Sequence, residues 1–175
     1  MDHPEIAKLK AAYRCKVSQI TLRDANADRQ SVSIPTGSAY AIRLAIKLGG
    51  RKTEVYVGDE LACISTFGDF DLPRFTVNAP DRCGFRSESA GTVRVGVDKL
   101  AIFTEDGDIS DVQSRVLDSQ KMRTLIAFHS FREGEAIHFY RNCVVLYARK
   151  EDATPELIEL MNALANALPI RVKLP

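Results

Sequence analysis

The sequence predicts an α+β fold: a mainly antiparallel sheet built from hairpins and covered by helices, including an amphipathic C-terminal helix. Two observations point there. Runs of period-two hydrophobicity border turn residues along the chain, and stretches of helical periodicity separate them. The third observation is negative: no regular βαβ alternation and no glycine-rich phosphate turn occur, which disfavours a doubly wound nucleotide-binding sheet.

At the start, Pro4 fits a first helical turn, and Ile6, Leu9 and Tyr13 follow at helical spacing, predicting a short amphipathic helix over 4–12. Residues 15–22 fit either reading: the helical stripe extends through Val17 and Ile20, while Val17, Ile20 and Leu22 with intervening polar groups also fit a short strand. The polar stretch 24–35 reads as a loop. From Ala39 the period becomes two. Ile42, Leu44, Ile46 and Leu48 alternate with Ala41, Arg43, Ala45 and Lys47 up to Gly49-Gly50, and a second strand follows with Val55 and Val57 set against Glu54 and Tyr56.

Residues 59–70 recur in outline at 98–109, each copy after a valine-rich stretch, so each reads as the return limb of a hairpin. Two short copies do not make a solenoid. A third hairpin is predicted at 136–148, turning at Arg141-Asn142, with Ile137, Phe139, Val144 and Leu146 on one face. Before it, Asp118-Ser119 can cap a helix whose Met122, Leu125, Ile126 and His129 share a face. After it, Thr154 as N-cap, Pro155 at the first turn and the stripe Leu157, Leu160, Met161, Leu164 and Leu168 predict the C-terminal helix, which Pro169 stops.

A chain of 175 residues fits a single domain, here an N-terminal helix and loop segment (1–35) followed by a hairpin-rich core (36–175). A globule of that length buries about 70% of the surface its unfolded chain exposes, so neither disulfide nor metal is required. Lys plus Arg number 24 against 23 Asp plus Glu, a net charge of +1, and no bulk field draws the chain to phosphates or acidic membranes. Nucleic acid is not implied, and no cofactor is predicted. The start lacks a secretory h-region, and no run reaches the length of a membrane span, which sets the expectation of a soluble, cytoplasmic chain. Cys15, Cys63, Cys83 and Cys143 are scattered, with no C-x-x-C pair, and read as thiols in a reducing compartment.

The polar candidates are spread out. His138 and Cys143 become diagonal neighbours on one sheet face if Arg141-Asn142 is a two-residue turn, which makes a Cys-His nucleophilic pair conceivable. His3 and His129 have no partner at ligand spacing, and a histidine beside apolar neighbours in a strand or helix is more often structural. Asp69 and Asp71 flank Phe70, while Asp106, Asp108 and Asp111 alternate in a second acidic stretch. Alternate carboxylates suit a hard cation. The second stretch lacks the remaining ligands of an EF-hand loop, and solvated turn residues with Ser110 or Asp111 as a helix N-cap account for it better. Arg74 and Arg86 complete the set that could converge with Asp69, Asp71 and His138.

The segment Phe70-Asp71-Leu72-Pro73-Arg74-Phe75-Thr76-Val77, followed by Pro80-Asp81, helix, hairpin and a leucine-rich helix, resembles uncharacterised bacterial domains that carry a comparable Phe-Asp and Phe-x-Val segment. The resemblance spans residues 59–169. Several of those domains accompany transmembrane helices, which are absent here, and the resemblance implies a fold rather than a residue-level function. The outline of a curved sheet closed by a C-terminal helix is also similar in architecture to pleckstrin-homology-like modules, which carries no function by itself.

Two function classes follow. The leading expectation is a noncatalytic binding or regulatory module that engages a protein partner or small ligand through its sheet or hairpin tips, with homo-oligomer formation compatible. The alternative is a small hydrolase-like enzyme built on the scattered groups Asp69, Asp71, Arg74, Arg86, His138 and Cys143.

Overall fold

A computed structural model of the chain describes residues 4–21, 40–78, 91–95, 98–104, 109–127, 129 and 135–171. The expected loop at 24–35, and His3, Cys83, Arg86, Asp106 and Asp108, lie outside them. Two units divide the chain: Met1–Thr66 with Val145–Asn162, and Phe67–Val144 with Ala163–Pro175.

The first unit opens with helix α1 (Pro4–Ala12), as its periodicity predicts, burying Ile6 and Leu9. Strand β1 (Cys15–Thr21) follows, so the ambiguous stretch is a strand, fixed by antiparallel pairing with β2 (Tyr40–Leu48) from Cys15↔Ile46 to Thr21↔Tyr40. Next come β3 (Arg51–Val57) and β4 (Leu61–Phe67), each antiparallel to the strand before it. Gly49 and Gly50 join β2 to β3 with φ of 55° and 81°, the two consecutive left-handed residues that a tight hairpin turn demands. Adding a Cβ at Gly49 would place it 3.2 Å from Asn162 Nδ2, whereas at Gly50 it meets open space. Gly49→Ala is therefore expected to lower stability by more than the about 1–2 kcal/mol of left-handed strain that Gly50→Ala carries alone. Urea unfolding of both variants checks this, since equal losses would remove the Asn162 contact as a cause.

The pattern on β3 departs from the expected alternation. Thr53, Glu54, Val55, Tyr56 and Val57 are all buried, so from Thr53 onward the strand has no wet face. Directly paired residues share a face. One face holds Leu44, Val55 and Ile64, with Thr53 and Thr66 meeting hydroxyl to hydroxyl at 3.2 Å. The other holds Arg43, Glu54, Tyr56, Cys63 and Ser65. A buried polar row survives only if its groups satisfy one another.

In the second unit, β5 (Phe75–Asn78) lies between β7 (Asp98–Thr104) and β8 (Ala136–Phe139), antiparallel to both, and β6 (Gly91–Val95) pairs antiparallel with β7. β9 (Cys143–Arg149) starts here, next to β8. The backbone N–H of Tyr140 donates to the Cys143 carbonyl at 2.9 Å, closing the predicted turn at Arg141-Asn142. Phe75 and Phe139 are register partners whose rings stack 4.3 Å apart, and Val77, Ile137 and Ile102 are fully buried with them. Helix α2 (Ile109–Val112) runs into a π-helical turn over Gln113–Leu117, and α3 (Gln120–Ala127) follows. Ser119 Oγ accepts the Met122 N–H at 3.3 Å, the predicted cap, and Met122 and Ile126 are buried. Ser110 and Asp111 lie inside α2 rather than capping it.

Residues 145–149 of β9 belong to the first unit and lie next to β4 in its sheet. The last helix, α4 (Pro155–Ala167), begins where predicted, with Thr154 Oγ1 accepting the Leu157 N–H at 3.4 Å. Its buried set differs from the leucine stripe: Ile158 and Ala165 join Leu157, Met161 and Leu164, Leu160 is only half-buried, and Leu168 is buried just past the helix end. Among the described residues no helix is long and apolar enough to cross a membrane.

The two look-alike segments are both return limbs of hairpins, β4 after β3 and β7 after β6. Their registers differ. Pairing starts at Ala62 opposite Val57 in one and at Asp98 opposite Val95 in the other, so Asp59 sits in a turn while its counterpart Asp98 sits in a strand.

Candidate functional site

In the second unit, Asp69, Phe70 and Asp71 are anchored by their backbones. The N–H of Phe70 donates to Arg141 O at 2.7 Å, that of Asp71 to Pro169 O at 2.9 Å, and that of Arg171 to Asp69 O at 3.0 Å. The carboxylates themselves point to solvent, and Asp69, Asp71 and Arg74 are all exposed. Arg115, which no motif singles out, gathers two candidates of different kinds: its Nη1 lies 3.5 Å from Asp71 Oδ1 and its Nε 3.5 Å from Asp111 Oδ1. Exposed pairs of this sort hold about 0–1 kcal/mol each. They bind a loop to a helix rather than a substrate to a base. Among the described residues no group of three or more His, Cys, Asp or Glu is placed to hold an ion.

His138 is 9% exposed, and its Nδ1 lies 2.9 Å from the hydroxyl of Thr76, its register partner on β5. Tyr140 stacks parallel to the ring at 6.0 Å. Burial pushes the imidazole down to about 4, so it is neutral at physiological pH. Cys143 is fully buried, its thiol reaches Asn142 Oδ1 at 3.6 Å, and burial pushes its pKa up to about 12. A Cys-His nucleophile needs the opposite, a thiolate beside an imidazolium. His129 pairs at 3.2 Å with the wholly buried Glu135, a residue sequence reasoning passed over because nothing in its neighbourhood marks it as interior.

The strongest polar cluster is in the first unit and was also missed. Glu54, with only 4% of its side chain exposed, receives the Tyr56 hydroxyl at 2.6 Å, Lys52 Nζ at 2.9 Å and the guanidinium of Arg43. Burial alone would push this carboxyl up. The bonds from Tyr56, Arg43 and Lys52 outweigh it and hold the group below the usual carboxylate range, while the Tyr56 hydroxyl is raised by burial and by Glu54. With donors from β2 and β3 converging on one carboxylate, the cluster is built to hold strands together. The signal that could have found it is a glutamate flanked two residues to either side on its own strand by Lys52 and Tyr56, with Arg43 on the diagonal across β2.

The first unit also carries a depression of about 120 Å³ lined by Gln19, Tyr40, Ala41, Ile42, Val57, Gly58 and Asp59. Its floor is the row Gln19–Ile42–Val57, one residue from each of β1, β2 and β3. Its rim includes Tyr40, 57% exposed, and Val17 at 39% lies one position along the same face of β1. β1 ends the strand order, and residues 16–19 are exposed in succession.

No protein-family model matches the chain, and no curated protein sequence matches it. Among solved structures it is similar to the crystal structure of the mycobacterial trehalose monomycolate transport factor A, TtfA, at 10% identity, with a TM-score of 0.63 over 97% of this chain and 96% of that one. At this identity the likeness is one of fold alone, and it shows that the α+β arrangement with its antiparallel sheet is one a known protein adopts along nearly its whole length.

Proposed function

We propose that the chain is a noncatalytic binding module whose partner is a protein segment docked in extended form along β1. The observation that carries this reading is the exposed terminal strand, residues 16–19, beside the Tyr40-rimmed depression. An edge strand offers backbone groups for affinity, and a hollow next to it receives an alternate side chain for specificity. Two further points support it. Among the described residues, the candidate catalytic groups of the second unit are exposed or held neutral, and the fold neighbour is by its name a transport factor. Free thiols at Cys15, Cys63 and Cys143 favour a reducing, cytoplasmic setting.

Photo-crosslinking from position 18 in the full chain tests the reading, combined with native mass spectrometry of the purified complex. The expected result is one protein captured at β1 and retained at least about tenfold less by Tyr40→Asp, since a buried aromatic anchor typically holds about 2 kcal/mol or more. A partner whose capture ignores Tyr40 and β1, or a chain that stays monomeric and unliganded, would overturn it.

A further inference from the structure

The hollow beside β1 lies at one end of the first unit's sheet, and that end is acidic. Ile42 pairs with Val57, so the turn that follows β3 borders the row Gln19–Ile42–Val57. The Gly58 N–H donates to Leu61 O at 2.9 Å and closes this turn to two residues, Asp59 and Glu60. Lys150 ties both down, its Nζ donating to Asp59 O at 2.6 Å and its backbone N–H to Glu60 O at 3.0 Å. The same contacts bring Glu151 and Asp152 to this end. Among the described residues here, four carboxylates therefore gather against Arg149 and Lys150, in a chain whose overall charge is +1. A concave site bordered by one sign of charge draws the opposite ion.

The lining has two parts. Ala41, Ile42 and Val57 supply apolar surface, while Tyr40, Gln19 and Asp59 bring an aromatic ring, an amide and a carboxylate. Gln19 pairs with Ile42 and Thr21 with Tyr40, so the Tyr40 ring stands on the same sheet face as this row. A strand added to β1 lies about 5 Å outside it and about 10 Å from β2. Short side chains on such a strand stop at Gln19, and only a long one crosses β1 to the hollow. A long apolar side chain would cover Ile42 and gain nothing from the carboxylates of the turn. Arginine suits the whole lining: its stem lies on apolar surface, and its guanidinium stacks on aromatic rings and pairs with carboxylates. Asp59 also has contacts within the chain, and a carboxylate's two oxygens serve several donors at once.

The geometry points to the chemistry of the partner: the protein segment docked along β1 carries an arginine that crosses β1, lays its stem on Ile42 and Val57 and sets its guanidinium between the Tyr40 ring and the Asp59 carboxylate. This rests on the β1 docking reading and adds to it what the hollow selects. A second copy of this chain does not supply the arginine. In an antiparallel two-fold pairing of β1 with itself, both copies play the same part and each residue keeps its own face. Lys16 pairs with Ala45 and stands on the opposite face from Gln19 and Ile42. On the face of the hollow β1 offers Cys15, Val17, Gln19 and Thr21, none of them cationic. The partner is a different protein, with a basic residue in an extended segment.

Selection of random heptapeptides against the full chain, keeping only those that crosslink from position 18, tests this. One arginine at a fixed place in the selected peptides is expected. The selected peptide, and the same peptide with leucine at that place, are then titrated against the natural chain and Asp59→Asn. The arginine peptide should bind the variant about fivefold less tightly, the size of a good ion pair at an interface rim. The leucine peptide should bind both chains alike, which also shows that the variant is folded. High salt should shrink the preference for arginine. N-acetylarginine amide should not displace the peptide, because it cannot make the backbone bonds to β1. Crosslinked peptides without a fixed arginine, a lysine preferred to arginine, binding indifferent to Asp59, or displacement by N-acetylarginine amide would each overturn the arginine assignment and leave β1 docking standing. A selection that yields no peptide crosslinked from position 18 would overturn both.

Discussion

Glu54→Ala is expected to lower the unfolding free energy by about 3 kcal/mol, because removing the carboxylate of a buried ion-paired cluster takes the shared acceptor from its desolvated donors. The alanine removes an acceptor that three donors share: the Tyr56 hydroxyl, the Arg43 guanidinium and the Lys52 ammonium. Lys52 recovers most easily, being 56% exposed, while Arg43 at 27% and Tyr56 at 7% recover less. Glu54→Gln keeps an acceptor for Tyr56 and should lose less. The acid limb separates this cluster from ordinary packing. Glu54 titrates lower in the folded chain than in the unfolded one, so its contribution is present in full above the usual carboxylate value of 4.5 and is lost as pH falls through the folded value. Urea midpoints measured below pH 4.5 should therefore drop more steeply for the natural chain than for Glu54→Gln. An alanine variant within about 0.5 kcal/mol of the natural chain would mean that water already serves these donors, as it does at unremarkable surface positions.

Glu54 also shows where sequence reasoning stops. Alternation along β3 implies one dry face and one wet one, which holds for a sheet covered on a single side. β3 is covered on both, and only the register reveals that Glu54, Tyr56 and Arg43 are mutual neighbours. The ends of elements were more legible than their surroundings. Thr154-Pro155, Ser119 and Gly49-Gly50 act through bonds or dihedrals a few residues away, so their roles are written locally. The stretch 15–21 had no such punctuation, and its strand form comes from β2, beyond the reach of periodicity. Candidate sites fared likewise. Asp71 and Asp111 meet only through Arg115, a residue that no motif marks. The shared outline of 59–70 and 98–109 reflects hairpin chemistry, with the register offset separating the two.

His138 should make the fold acid-sensitive in a higher pH window than Glu54. Its folded value is about 4 against 6.5 for a free imidazole, so between these the unfolded chain binds a proton that the folded chain refuses. Stability is then complete above 6.5 and declines as pH falls toward 4, by about 3 kcal/mol in all. His138→Gln can still bond Thr76, and whatever it loses in packing is independent of pH, so its urea midpoints should be flat across the window where the natural chain slopes. An imidazole resonance that starts to titrate only near 4 would be the direct sign. The same measurement weighs the hydrolytic reading. A base at that position must accept a proton near neutrality, and its diagonal neighbour Cys143, with a thiol near 12, must give one up. A buried pair pushed this far apart stays neutral, because the ion pair would face both the desolvation that created the shifts and a proton transfer uphill by both of them. A His138 that titrates near 6.5 would remove that objection and return it to the set of candidate bases.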